Sequence, residues 1–179
     1  QEPSGVWIMA YTTIDDPSAH FQTAIWTGNN AASRTITFDG NSDLQPDMIW
    51  NKSRSRSSAH LVHDSTRSFA SNKSLNTDST EEEGGDVALS SGTGTTAANG
   101  YVSAVTSDGF TVVEGSSDGE LVNYMSGGSG ITHVAWAWKA NGGSRTTNTE
   151  SGDNPAGGYQ ANTTAGFSIV KYTGDGAGD

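Results

Sequence analysis

The chain contains no cysteine among its 179 residues. This absence excludes disulfide-stabilised scaffolds, zinc sites built from thiolates and catalysis by a cysteine nucleophile. Long apolar runs are also missing, since no stretch approaches the roughly 18 residues that a membrane-spanning helix requires. We therefore expect no membrane insertion. The redox compartment stays open, because a chain without cysteine folds equally well in either environment.

Basic residues are few: 9 Lys and Arg stand against 20 Asp and Glu, which gives a formal net charge of −11. Nucleic acids and anionic membranes are bound through basic patches, so we expect neither as a partner. The sequence also lacks G-x-S-x-G, a phosphate-binding loop and H-E-x-x-H. These absences predict a non-enzymatic protein with no obligatory cofactor.

Small polar residues dominate what is present: 23 Gly, 24 Ser, 21 Thr and 12 Asn make up close to 45% of the chain. Turn formers and β-branched Thr are abundant, whereas helix formers are scarce. About ten short segments bounded by turn signals predict an all-β sandwich or jelly roll. The clearest predicted strands are Val6–Tyr11, Phe21–Thr27, Arg34–Phe38, Asp47–Lys52, His60–Asp64, Tyr101–Thr106, Phe110–Glu114, Leu121–Met125, Ile131–Lys139 and Phe167–Tyr172.

Composition also predicts the domain organisation. We expect a β-sandwich domain at 1–141, a Gly/Ser/Thr-rich linker at 142–166 and, at 167–179, a strand that opens a second repeat. Within the sandwich, Glu81–Gly100 contains three adjacent Glu followed by a low-complexity stretch, and it is predicted to be a solvent-exposed loop.

Two predicted strands share a motif. Phe21–Asn29 and Phe167–Asp175 both read F-x-x-x-x-aromatic-T-G followed by Asn or Asp, at an offset of 146 residues. An offset of about one domain favours tandem copies, and the alternative is chance similarity between Gly/Thr-rich strand ends. The last strand has apolar residues on both faces, so we expect it to contact another subunit or a following domain. The residues expected in this contact are Phe167, Ile169, Val170 and Tyr172.

A candidate metal site follows the third predicted strand. Asp39, Asn41 and Asp43 alternate within a turn and offer oxygen ligands of the kind that calcium prefers. The segment is not an EF-hand, because Leu44 and Trp50 occupy the positions that such a loop reserves for Gly and Glu. Calcium is the one cofactor that the sequence suggests.

Trp136 and Trp138 lie two residues apart, so they share one face of a strand. A flat aromatic pair suits the stacking of pyranose rings, which makes both residues candidate ligand-binding residues. The interpretation that we favour places them in the sandwich core instead. The other tryptophans lie in apolar strands and are predicted core residues: Trp7, Trp26 and Trp50.

Several motifs in a fixed order resemble a known repeat domain. Pro46–Arg54 is similar to P-D-[LM]-[VI]-W-x-K-x-R, and His63–Ser68 to F-D-S-x-R-G, although His63 and Ser68 depart from the usual Phe and Gly. An S-D-G-F hairpin, a Y-V-A-W-A-W-K-A-like strand and a T-A-G-F-S-I-V-x-Y-T-G segment follow, at Ser107–Phe110, His133–Ala140 and Thr164–Gly174.

The domain that these motifs resemble, over Phe21 to Asp175, has no assigned function and occurs in tail-fibre-like virion proteins of tailed phages. The resemblance implies a concanavalin A-like jelly-roll sandwich in a virion appendage, and it carries over no catalytic or ligand residues.

We therefore expect a non-enzymatic structural or adhesion module of a phage tail fibre or capsid-surface fibre, located at the virion surface or outside the cell. Its expected partners are copies of itself and other virion proteins. One alternative is a lectin domain that binds a host-surface glycan, and another is a subunit of an extracellular filament joined by strand exchange at Phe167–Tyr172. A glycoside hydrolase requires paired carboxylates on facing strands, and candidates such as Asp47 and Asp64 are too few.

Overall fold

The structure, a computed structural model, describes residues 14–152 and 155–174. The predicted strand Val6–Tyr11, with Trp7, lies outside these residues. A 3₁₀ turn at Pro17–Ala19 and a one-turn α-helix, α1, at Thr96–Asn99 accompany fifteen described strands. The strands are β1 (Phe21–Thr27), β2 (Ser33–Thr37), β3 (Met48–Ser53), β4 (Leu61–Asp64), β5 (Leu75–Asn76), β6 (Val87–Leu89), β7 (Gly92–Gly94), β8 (Tyr101–Thr106), β9 (Gly109–Val113), β10 (Met125–Ser126), β11 (Ser129–Gly130), β12 (Thr132–Trp138), β13 (Thr146–Asn148), β14 (Gly157–Asn162) and β15 (Phe167–Tyr172).

Two antiparallel sheets enclose the core. The large sheet has five strands in the order β1-β12-β3-β4-β5, and the facing sheet has three in the order β2-β9-β8. Side chains from both sheets form one buried cluster, in which Trp26 meets Phe110 edge-on with ring centroids 5.7 Å apart. Trp26 also donates from Nε1 to the carbonyl oxygen of Val122 over 2.7 Å. The predictions of an all-β sandwich and of a core position for Trp26 are confirmed, and the jelly-roll connectivity stays a prediction.

Alternation along β12 decides which of its side chains enter this core. Ala135 and Ala137 are fully buried on the inner face, whereas Trp136 and Trp138 are half-buried on the outer face. Trp50 lies directly opposite Trp136 in the register, so it is on the outer face as well. The prediction that these three tryptophans lie in the core is therefore wrong. Because the rings of Trp26 and Phe110 already occupy the space between the sheets, the close-packed core accepts small side chains from β12.

The predicted exposed loop at Glu81–Gly100 is in part a structured segment. β6 and β7 pair as a hairpin, and Val87 is buried in the core cluster. α1 follows the N-cap Thr95 and buries Thr96 and Asn99. The prediction is wrong for residues 87–99, because a composition rich in Ser, Thr and Gly hides elements whose few long side chains are all directed inward.

A third sheet, which we call the outer sheet, has the strand order β13-β14-β15. It corrects the prediction of a linker at 142–166, since β13 and β14 lie within that segment. Ile169 of β15 is buried, and Gln160 of β14 is buried and donates from Nε2 to Ser65 Oγ over 2.8 Å. The outer sheet therefore packs on the sandwich. In the described part of the chain, no helix is long and apolar enough to cross a bilayer.

Candidate functional site

The outer face of the large sheet carries a row of aromatic side chains. Trp136 of β12 contacts Trp50 of β3, with ring centroids 5.6 Å apart. Two residues further along β12, Trp138 lies opposite Phe21 of β1, with centroids 5.0 Å apart and ring planes at 48°. An aromatic face of this kind needs a cover or a ligand, since large exposed apolar patches are uncommon on soluble proteins.

The outer sheet covers one end of this face. Phe167, the first residue of β15, stacks on Trp138 with centroids 5.9 Å apart and planes at 20°. Phe21, Trp138 and Phe167 thereby form a continuous wall of three rings. The wall lines a groove of about 360 Å³, which we call the aromatic groove. Its main lining residues are Ile14, Pro17, His20, Phe21, Trp138 and Phe167.

A second groove of about 450 Å³ adjoins the first, because His20 lines both. Most of the residues that line it have polar side chains, and we call it the polar groove. Side chains that line it are His20, Lys139, Asn141, Asn162, Thr163 and Thr164. Among the described residues, no Asp or Glu lines either groove, although the chain as a whole is strongly acidic.

The side-chain amide of Asn162 forms three hydrogen bonds at the boundary between the two grooves. Asn162 of β14 donates from Nδ2 to the carbonyl oxygen of Lys139 over 3.2 Å and accepts the main-chain N–H of Ala165 at Oδ1 over 3.0 Å. These two main-chain partners fix which end of the amide is the donor. Nδ2 also lies 2.9 Å from Nδ1 of His20, which must then accept. The neutral imidazole consequently carries its proton on Nε2.

A buried carboxylate positions the wall of the polar groove. Asp47 lies just before β3, and its Oδ2 accepts the main-chain N–H groups of Ala140, Asn141 and Gly142 at 2.8–2.9 Å. Its Oδ1 accepts the N–H of Gly143 over 2.7 Å. Gly142 and Gly143 have φ of +60° and +82°, a backbone conformation that favours glycine. Asp47 thus holds the turn after β12 in a fixed shape.

The other carboxylate considered for catalysis, Asp64, is also committed to structural contacts. It forms a buried ion pair with Arg67 and accepts the main-chain N–H of Thr66 over 2.9 Å. Neither Asp47 nor Asp64 is therefore a free acid or base in this structure.

The candidate calcium ligands Asp39, Asn41 and Asp43 are all exposed in the turn after β2. Within residues 14–152 and 155–174, no group of three or more His, Cys, Asp or Glu side chains is arranged to hold a metal ion. The structure offers no further support for calcium at this turn, and the site stays a prediction.

β15 divides its apolar residues between two surroundings. Phe167 and Ile169 face this chain's own sandwich, which corrects the prediction that they contact another subunit or domain. Val170 and Tyr172 point the other way and are 66% and 68% exposed. With Tyr159, opposite Val170 on β14, they line a groove of about 290 Å³ on the outward face of the outer sheet. For Val170 and Tyr172 the predicted contact stays a prediction.

Two histidines are enclosed in the sandwich. His63 and His133 are completely buried, and His133 stacks on Trp26 with centroids 5.4 Å apart. Burial disfavours the charged imidazolium, which lowers the pKa of His63 to about 3 and the pKa of His133 to about 4. Neither ring has a hydrogen-bond partner among the described residues, so no hydrogen bond there stabilises a charged imidazolium, and both rings are neutral in the folded protein.

Sequence reasoning identified Trp138 and missed Phe21, His20 and Asn162. His20 and Asn162 are 142 positions apart and lie in no recognisable motif, so only the fold joins them. One signal was available: Phe21 and Phe167 are the first residues of the two copies of the F-x-x-x-x-aromatic-T-G motif. The structure brings both phenylalanines onto Trp138.

Residues 16–178 match the family described as a domain of unknown function, DUF7483. The match covers most of the chain, including the sandwich and all three strands of the outer sheet, and the chain therefore belongs to this family. No curated protein matches the chain, and no solved structure does.

Proposed function

We propose that this member of the DUF7483 family is a non-enzymatic structural and adhesion module of a virion appendage, in which copies of the domain associate through the outward face of β15. The location follows the resemblance to tail-fibre-like repeat domains. The association follows the surface chemistry of one strand.

The main support for the proposal comes from a comparison of the two copies of the shared motif. At the offset of 146 residues, Val170 and Tyr172 of β15 correspond to Ala24 and Trp26 of β1. Ala24 and Trp26 are 9% and 5% exposed, because they face the core of the sandwich. Their counterparts on β15 are 66% and 68% exposed. These two motif positions are thus buried in β1 and exposed in β15.

This open face fits a second copy of the domain better than a small ligand. Val170, Tyr172 and Tyr159 are the kind of branched and aromatic side chains that pack between sheets. β15 is also at an edge of its sheet among the described strands, and apolar edge strands are natural sites of pairing with another chain. A copy that presents a second such face buries both patches at once, as isologous contacts do.

The charge and the carboxylates agree with a structural role. A net charge of −11 keeps exposed copies soluble and opposes unspecific binding to nucleic acids. The buried Asp47 and Asp64 hold turns in place rather than face a common substrate.

Sedimentation velocity over a wide range of concentration tests the association. The double variant Val170→Ser/Tyr172→Ser should sediment as a monomer where the unmodified chain forms larger species. Ile25→Ser is the matched control, because Ile25 is equally exposed, at 66%, on β1, which is at the edge of the large sheet among the described strands. A double variant that associates like the unmodified chain contradicts the proposal.

The virion location needs a separate test. The genes on either side of the coding sequence should encode phage structural proteins, and mass spectrometry of purified particles should detect the chain. Neighbouring genes of cellular metabolism would refute this part of the proposal and leave the association untouched.

A carbohydrate-binding domain is the second candidate function. It is favoured by one observation, the adjoining aromatic and polar grooves that meet at His20.

A further inference from the structure

We propose that the aromatic and polar grooves together form a glycan-binding site, in which Phe21 is the platform for a pyranose ring and Nε2–H of His20 donates to a sugar hydroxyl. The biological meaning of this site rests on the proposed adhesion function, but its binding chemistry does not depend on self-association.

The aromatic half provides the platform. Phe21 lines the groove and is 39% exposed, and it contacts Trp138 with ring centroids 5.0 Å apart. Phe167, which also lines the groove, stacks on Trp138 and restricts movement of the indole. A ring held by rigid neighbours presents its flat face at little cost in side-chain entropy, which is what stacking on the C–H face of a sugar requires.

The polar half provides fixed hydrogen-bonding groups next to that platform. Asn162 uses its amide on Lys139, Ala165 and His20, so the amide is satisfied by protein partners. This arrangement leaves Nε2–H as the remaining donor of His20, which is the residue that lines both grooves in the described part of the chain. Asn141 and Thr163, which line the polar groove, add groups that both donate and accept.

Hydroxyl-rich ligands are the class that this mixture fits. A lipid chain or an apolar peptide would leave the amide and hydroxyl groups of the polar groove without partners, and unpaired polar groups oppose binding. A strongly cationic ligand would meet no carboxylate among the described residues that line the grooves. Lys139 and the Nε2–H of His20 can instead donate hydrogen bonds to neutral or acidic sugars. Binding sites of this size commonly combine an apolar wall with a few placed polar groups.

The test is a printed array of neutral and acidic oligosaccharides, probed with the intact chain displayed as tetramers on streptavidin so that multivalency compensates for weak single sites. A glycan found there is then titrated against the monomeric chain by calorimetry. Phe21→Ala and His20→Phe should each weaken binding roughly tenfold or more. Phe21→Tyr, which keeps the flat ring, should restore most of the affinity. Ile25→Ala is the control, because Ile25 follows Phe21 on the same face of β1 and lies outside both grooves.

Three results would overturn the proposal: no glycan bound above the level of the Phe21→Ala variant, equal affinity for His20→Phe and the unmodified chain, or peptides bound in place of glycans. Urea unfolding of each variant identifies a folding defect. If Phe21→Ala is unfolded, weaker binding by His20→Phe than by Phe21→Tyr still supports the proposed site.

Val170→Ser/Tyr172→Ser should bind the glycan like the unmodified chain, so that a failure of the association proposal is distinguishable from a failure of this one.

Discussion

Oδ2 of Asp47 accepts the main-chain N–H of Gly142 over 2.9 Å, across 95 positions of the chain. This contact joins the beginning of β3 to the turn that follows β12. The turn carries Asn141, so the buried carboxylate also fixes one wall of the polar groove. A single acidic side chain thus connects the stability of the sandwich to the shape of the candidate site.

Asp47→Asn should lower the free energy of unfolding by about 2–4 kcal/mol, because an amide offers one acceptor oxygen to a turn that presents four main-chain donors. Urea unfolding at neutral pH measures the loss. Asp43→Asn is the control at an exposed position and should change stability by no more than about 0.5 kcal/mol. Equal effects of the two substitutions would mean that the Asp47 contacts contribute little.

Trp26→Ala should cost about 3–5 kcal/mol, since it removes a ring packed between the two sheets and its bond to Val122. Trp136→Ala, on the outer face of the neighbouring strand, should cost roughly 1–2 kcal/mol because its ring is half-buried. Denaturant unfolding of both variants gives the comparison. A larger loss at Trp136 would place the main core on the other side of the large sheet.

Most strands of the sandwich were predictable from alternation, but the face that each strand buries was not. The predicted strand at Leu121–Met125 is wrong, because residues 120–123 form a turn and only Met125 begins a short strand, β10. Trp-Ala-Trp in β12 has the same period whether Trp or Ala points inward. The choice is made by the facing sheet, whose Phe110 already meets Trp26 in the core. β14 was missed because Gly-Gly-Tyr-Gln-Ala-Asn has little hydrophobic signal, and it becomes a strand through pairing with β15.

Acidification should destabilise the fold between about pH 6.5 and pH 4. In the unfolded chain His63 and His133 take up protons below their ordinary pKa of about 6.5. In the folded chain burial lowers the pKa of His63 to about 3 and the pKa of His133 to about 4, so the folded state binds fewer protons in this window. Above pH 6.5 both histidines are neutral in the folded and the unfolded chain, and their titration costs no stability. As the pH falls, proton uptake by the unfolded chain lowers the free energy of unfolding by up to about 1.4 kcal/mol per pH unit for each histidine.

Urea unfolding of the unmodified chain and of His133→Phe, measured at pH 7.5 and pH 5, checks this pH dependence. The variant keeps an aromatic ring against Trp26 but cannot be protonated, so its stability should fall less steeply on acidification. If the free energy of unfolding falls equally for the two proteins between pH 7.5 and pH 5, burial does not lower the pKa of His133 in the folded state.

The two faces of β15 should respond differently to the same kind of substitution. Ile169→Ser removes a buried side chain from the contact between the outer sheet and the sandwich, and should cost about 2–3 kcal/mol. Val170→Ser, at the next residue, should change the stability of the monomer by no more than about 0.5 kcal/mol. Thermal unfolding at low protein concentration makes the comparison. Equal and small effects would mean that the outer sheet does not pack on the sandwich in solution.

The candidate site was less predictable than the fold. Trp138 was identified from its spacing to Trp136, yet the structure separates the two: Trp138 joins Phe21 and Phe167, whereas Trp136 packs on Trp50. His20 and Asn162 meet only because the outer sheet folds back over β12, a contact that no local pattern encodes.

Crosslinking at single thiols tests most directly the proposal that copies of the domain meet through the outward face of β15. The chain has no cysteine, so Val170→Cys introduces its only thiol. A short bis-maleimide reagent should convert this variant into a covalent dimer, while Ile25→Cys, equally exposed on β1, should stay monomeric. Crosslinking that is equally strong at both positions, or absent at Val170→Cys, would contradict association through β15.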